Sequence, residues 1–198
     1  MAYDRKDSFY ERAKREGYRS RAAFKLEEIQ KRTRVLARGQ RVVDLGAWPG
    51  GWLQIIAQHV GAKGRIVGVD RVAIDPLPNR EIRLLCSDVT DPELPESILT
   101  LLEGRADVVL SDLAPKLTGI APRDEAAAAE LAEHTLRVAA ACLKTGGSIV
   151  LKTFGGSEAE VTRAALAASH RKVRRIGLAA TRKGSSELYL VATGFRGA

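Results

Sequence analysis

The chain has 198 residues, 45% of them hydrophobic and 28% charged, with two cysteines. That length supports one compact domain and little more, the cysteine count leaves no disulfide framework, and no apolar run approaches a membrane span. The net charge of +8 is lopsided, with 13 Lys/Arg against 6 Asp/Glu in residues 1–41 and 19 against 18 in residues 42–198, so a basic arm on a near-neutral body points to a polyanionic partner.

Taken in order, residues 8–17 and 20–34 read as helices. Ser20 can cap the second, and Ala23, Phe24, Leu26 and Ile29 form its apolar stripe. "RVVDLGA" (41–47) is a short apolar strand that ends at glycine. "GGWLQIIAQHV" (50–60) is a helix broken by "GAKG". Strands follow at 65–70 and 82–88, a short helix at 93–103, and a fourth strand at 106–112. Pro122 and Gly146–Gly147 bracket a helix running to about Lys144. "SIVLKT" (148–153) is a fifth strand, residues 157–168 a helix, and 172–180 and 187–193 a closing pair of strands.

Alternating strands and helices mean βαβ units, a mostly parallel sheet and helices on both faces. The early strands are continuous apolar runs, as strands covered on both sides should be. The final strand follows another strand without a helix and is expected to pair antiparallel at or near an edge. The whole chain, 1–198, reads as one domain with residues 1–40 as a basic helical arm. The N-terminus lacks the apolar segment of a secretory signal, and Cys86 and Cys142 read as buried free thiols, which fits a reducing cytoplasm. His59, His134 and His170 read as residues of helix surfaces or ends, without chemistry.

In doubly wound sheets, ligands bind beyond the carboxyl ends of the strands. Here those ends carry "DLGAWPGGW", Asp70, Asp88, Asp112 and Lys152. The first turn is not the dinucleotide fingerprint, because Trp48 stands where a glycine is required. An NAD-dependent oxidoreductase therefore shares the fold but lacks the motif. Asp70 follows Gly46 by a strand–helix–strand interval and can take hydrogen bonds from ribose hydroxyls. Asp88 can accept from an adenine amino group. A nucleoside cofactor without a diphosphate suits this arrangement, and the cationic S-adenosylmethionine is one.

"RSRAAFKL", "DLGAWPGGW", "SDLAP", "VLKTF" and "ELYLVATG" occur in this order over nearly the whole chain. Together they resemble the FtsJ/RrmJ (RlmE) family of ribosomal RNA large-subunit methyltransferases. The resemblance implies a class I methyltransferase fold with seven strands, the last antiparallel. It implies methyl transfer from S-adenosylmethionine to the ribose 2′-hydroxyl of a uridine in 23S RNA, without metal. It places a Lys-Asp-Lys-Glu tetrad on Lys25, Asp112, Lys152 and Glu187, and cofactor contacts on Gly50, Trp52, Asp70, Asp88 and Asp112. Two residues depart from the family pattern: Trp48, where a small residue is usual, bears on the cofactor wall, and Lys116, where asparagine is typical, bears on the RNA cleft. A tRNA or mRNA-cap 2′-O-methyltransferase shares the tetrad, and an RNA-binding ribosome-assembly factor shares the charge.

Lys152 is the oddest residue of the fifth strand, since a lysine seldom ends an apolar run without a partner or a task. The resemblance makes it the base that takes the ribose hydroxyl's proton. Asp112 and Lys25 would orient it and the hydroxyl, and Glu187 would hold the lysines or the ribose. Burial and Lys25 favour its neutral form, whereas Asp112 and Glu187 favour the charged one. For RNA phosphates the candidates are Arg12, Lys14, Arg15, Arg19 and Arg21 in the arm, and Arg171, Lys172, Arg174 and Arg175 near the end. A monomer acting on the large ribosomal subunit, away from membranes, is the expected setting.

Overall fold

The computed structural model describes residues 8–116, 118–181 and 186–197. The elements run α1 (Ser8–Arg15), α2 (Ala23–Thr33), β1 (Arg41–Leu45), α3 (Gly51–Val60), β2 (Arg65–Asp70), β3 (Ile82–Cys86) and α4 (Leu94–Leu102). They continue with β4 (Ala106–Ser111), α5 (Ala121–Cys142), β5 (Leu143–Phe154), α6 (Ser157–Ser169), β6 (His170–Ile176) and β7 (Glu187–Phe195). The strands form one sheet in the order β3-β2-β1-β4-β5-β7-β6. Strands β1 to β5 pair parallel, and β7 runs antiparallel to both β5 and β6. The last strand therefore lies one place in from the edge, and β6 forms the edge itself.

Alternation along the strands assigns each residue to a face. Val42, Ile66, Val108, Leu110, Val150 and Tyr189 pack with Ala23, Leu26, Ile29, Trp52 and Ile56 of α2 and α3. Val43, Val67, Val109, Ile149, Leu151 and Leu190 pack on the opposite face with Ile98, Val138 and Leu166 of α4, α5 and α6. The second helix of the basic arm is thus part of the main core. A smaller cluster of Ala13, Phe24 and Ala180 fixes α1.

Local details depart from the sequence reading. Ser20 does not cap α2: Ala22 is the N-cap, without a side-chain bond. The Ser20 hydroxyl instead occupies the space where a Cβ on Gly51 would fall. Cys86 is exposed, whereas Cys142 is buried and its thiol is pushed up to about 11 by desolvation. His170 stands at the end of α6, as expected, but is buried, with its ring 5.2 Å from that of Phe195. Among the described residues no helix is long and apolar enough to cross a membrane.

Candidate active site

Strand order reverses at β1, whose neighbours are β2 on one side and β4 on the other. A crevice opens beyond the carboxyl ends at such a switch point. Here it is a cavity of about 460 Å³, lined by Gly46, Asp70, Asp88, Val89, Asp112, Leu113, Lys116 and His134 among others. That volume suits a small-molecule ligand. His134 and Lys116 thus belong to this pocket, although the sequence placed the first on a helix surface and the second at an RNA cleft.

The carboxylates are held by neighbouring backbone. Asp70 accepts from the backbone N–H groups of Trp48 and Val72, both at 2.9 Å. Asp88 lies two residues past β3 and accepts from the Thr90 backbone N–H and hydroxyl at 2.9 Å. The backbone bond from Thr90 chiefly holds its carboxyl below the usual range. Asp112 follows β4, and its own N–H bonds the Leu45 carbonyl at 3.2 Å, so it sits beside the end of β1.

Asp112 also faces a second group of residues. Lys152 Nζ lies 3.0 Å from its Oδ1 and donates to its backbone carbonyl. The Tyr189 hydroxyl donates to the same Oδ1 at 2.6 Å. Lys152 and Tyr189 are direct cross-strand partners in the β5–β7 register, on the face covered by α2. From α2, Lys25 reaches down to Glu187 at the start of β7, with Nζ–Oε distances of 2.8 and 2.9 Å. The Thr181 hydroxyl donates to Glu187 at 3.2 Å. Lys25, Asp112, Lys152 and Glu187 are therefore brought together, each lysine with its own carboxylate. The Lys152 side chain is 7% exposed, so it does not snorkel to solvent.

Two members of the cluster were not singled out in the sequence. Tyr189 is fully buried, and desolvation with the nearby Asp112 and Glu187 charges holds its phenol well above the usual range. Its ring packs 6.0 Å from that of Trp52. Asp44, in β1, is also fully buried, and among the described residues its oxygens meet no donor. Desolvation first, then the carboxylates of Asp112 and Asp70, push its carboxyl well above the usual range.

Gly50 and Trp52 lie outside the pocket wall. Gly50, at φ +109°, has the Arg19 side chain 3.1 Å from where a Cβ would stand. The Trp52 indole N–H donates to the Ala22 carbonyl at 2.8 Å inside the core. Both fasten the first turn of α3 to the arm. The Trp48 ring is 56% exposed and does not line the cavity; only its backbone reaches Asp70.

Several arm cations are spent within the fold. Arg19 donates to the carbonyls of Pro49, Asp75 and Pro76. Arg21 donates to the Ala180 carbonyl. Arg12 pairs with Glu16 at 2.7 Å and lies 4.3 Å over the Phe24 ring. Lys14 and Arg15 remain exposed on α1. On the edge strand β6, Arg171, Lys172 and Arg174 are exposed, whereas Arg175 pairs with Glu160 at 2.7 Å.

The sequence pattern of the FtsJ-like methyltransferases matches residues 18–195. The chain belongs to that family. A protein named ribosomal RNA large subunit methyltransferase E from Acidithiobacillus ferrooxidans is 44% identical over 97% of this chain and 87% of its own length. One of the same name from Methanothermobacter thermautotrophicus is 39% identical over 100% of this chain and 93% of its own. The crystal structure of a ribosomal RNA methyltransferase from Plasmodium falciparum superposes with a TM-score of 0.81 at 26% identity, covering 91% of this chain and 100% of that one. A fibrillarin/Nop5p complex, at 20% identity and a TM-score of 0.60, shares the fold. The chain is thus a methyltransferase of the FtsJ-like family, built on the Rossmann-like sheet expected from its sequence.

Proposed function

We propose that this protein transfers a methyl group from S-adenosylmethionine to a ribose 2′-hydroxyl, that of a uridine, in large-subunit ribosomal RNA. The observation that carries the reading is the double role of Asp112, whose carboxylate borders the pocket and also bonds Lys152 and Tyr189. A cofactor site and a candidate base thus meet at one residue. The names of the relatives support ribosomal RNA of the large subunit as substrate. The uridine rests on the family resemblance.

The pocket fits the cofactor chemically. Three carboxylates, those of Asp70, Asp88 and Asp112, face a cavity that also has apolar walls. Asp70 and Asp88 would hold the nucleoside by its ribose hydroxyls and base amino group. S-adenosylmethionine supplies an electrophilic methyl group when bound. Asp44 lies buried near the same carboxylates, which with desolvation push its carboxyl well above the usual range.

A neutral hydroxyl is a weak nucleophile that must give up its proton as it attacks, whereas a neutral amine is nucleophilic as it stands. A lysine bonded to the pocket-lining Asp112 therefore favours an oxygen acceptor. Lys152, in its neutral form, takes the hydroxyl proton. Asp112 and Tyr189 hold the lysine, and Lys25 with Glu187 closes the far side of the ribose. Most of the acceleration comes from holding the reactants in line. Among the described residues, Lys14, Arg15, Arg171, Lys172 and Arg174 are exposed, unpaired cations of the expected RNA surfaces.

The test is to incubate the protein and labelled S-adenosylmethionine with large ribosomal subunits from cells lacking it, then to map the methyl group by nuclease digestion and mass spectrometry. The expected product is one 2′-O-methyluridine. Methyl groups on a base, or transfer only to tRNA or capped RNA, would overturn the reading.

A further inference from the structure

We infer that the protein has a second RNA-phosphate site, at the opposite end of the sheet from the candidate active site. This inference rests on the RNA substrate proposed above. A groove of about 360 Å³ opens at the amino ends of β2 and β3, with Lys63, Arg65, Arg80, Glu81 and Arg83 in its wall. Arg65 begins β2 and Asp70 ends it, so the groove and the cofactor pocket are separated by the length of that strand, roughly 17 Å.

The charges in this groove are not balanced among the described residues. Arg65 pairs with Glu103 at 2.6 Å. Arg83 donates to the carbonyls of Arg80 and Ile82, neutral groups that leave its charge uncompensated. Lys63 and Arg80 are exposed, and no described carboxylate pairs with them. Arg38 adds a further cation: its guanidinium fills the space where a Cβ on Gly61 would stand. Gly61, at φ +65°, lets that guanidinium rest directly on the loop that forms one wall. Against Lys63, Arg80 and Arg83 stands one carboxylate of the lining, Glu81.

The chemistry fits the phosphates of a nucleic-acid backbone. Three unpaired cations, Lys63, Arg80 and Arg83, on one concave surface suit a chain of closely spaced anions. No aromatic ring lines the groove, so it offers no platform on which to stack a base. Contacts of this kind position a protein without reading sequence. With the active site facing one way and this groove the other, the protein would be gripped by RNA on two sides. A folded ribosomal RNA can provide that; a short isolated strand cannot.

The test is Lys63→Glu/Arg80→Glu, with Lys63→Arg/Arg80→Lys as the charge-preserving control. Binding of each to naked large-subunit RNA is measured by filter retention across a salt series. Thermal melting and calorimetry with S-adenosylmethionine monitor the fold and the other site. The reversal should weaken RNA binding by about tenfold or more and make the log–log salt slope shallower by about two units, one for each phosphate no longer held. Melting, cofactor affinity and the control's RNA binding should match wild type. Unchanged affinity and slope for naked RNA would overturn the inference. So would a loss confined to ribosomal particles, which would assign the groove to an acidic protein. Ribose mapping on the wild type separately tests the proposed reaction, so each idea can fail without the other.

Discussion

Replacing Tyr189 by phenylalanine removes one oxygen and tests the centre of the site. The hydroxyl donates to Asp112 Oδ1 at 2.6 Å, in full burial. The ring stays packed 6.0 Å from Trp52 and 5.9 Å from the Lys25 ammonium, so little but the hydrogen bond changes. A bond to a charged acceptor is worth about 1.5–3 kcal/mol. For a chain of this size that lowers the melting temperature by about 3–12 °C. If the same energy orients Asp112 and Lys152 in the transition state, single-turnover methyl transfer falls between about tenfold and about 150-fold. Thermal melting and rapid-quench transfer at saturating cofactor read the two effects separately. A variant that melts and reacts like wild type would refute the idea that this hydroxyl fixes Asp112. Lower stability with an unchanged rate would confine it to the core.

Lys152→Ala should reduce single-turnover transfer by at least about 100-fold, the lower range for a lost general base, while calorimetry finds cofactor affinity nearly intact. Asp70→Ala should do the reverse first, weakening S-adenosylmethionine binding by about 1.5–3 kcal/mol; unchanged affinity in a folded variant would move the nucleoside elsewhere. Asp44→Asn should stabilise the protein at neutral pH, because burial and the nearby carboxylates raise the native carboxyl above its unfolded value of about 3.9. Stability from the protonated group is then full below about pH 3.9 and is lost as pH rises towards the native value, so the gain over wild type in denaturant titrations should grow from about pH 4 to about pH 7. An equal difference at both pH values would contradict it.

The strand ends were the most legible part of this chain. Asp70 and Asp112 stand at or next to the ends of β2 and β4, and Lys152 stands two residues before the end of β5, so a charge closing an apolar run is easy to see. Tyr189 was hidden because "ELYLV" reads as ordinary strand. The available signal was parity, since residues 187 and 189 share a face, and Tyr189 lies opposite Lys152. Asp44 was hidden for the opposite reason: one acid inside "RVVDL" looks like a turn former until its burial is known. Charge counting identified a basic arm but could not foresee that Arg12, Arg19 and Arg21 bond within the fold. It also missed Lys63, Arg80 and Arg83, which are apart in sequence and meet only where β2 and β3 begin. Nothing local reveals that Arg19 packs on Gly50 or that the Trp52 indole bonds the Ala22 carbonyl.

The position of β7 between β5 and β6 bears on how the protein is made. Synthesis proceeds from the N-terminus, and domains fold as their segments emerge. β7 is synthesised after every other described element, yet it supplies both Glu187 and Tyr189. Until it emerges, β5 presents an open edge, Lys25 lacks the Glu187 carboxylate, and Lys152 has Asp112 without Tyr189. The nascent chain can hold every residue of the pocket wall while the Lys25–Glu187 and Asp112–Tyr189 contacts are still unformed. Insertion of one late strand then closes the sheet and supplies Glu187 to Lys25 and Tyr189 to Asp112 in the same event.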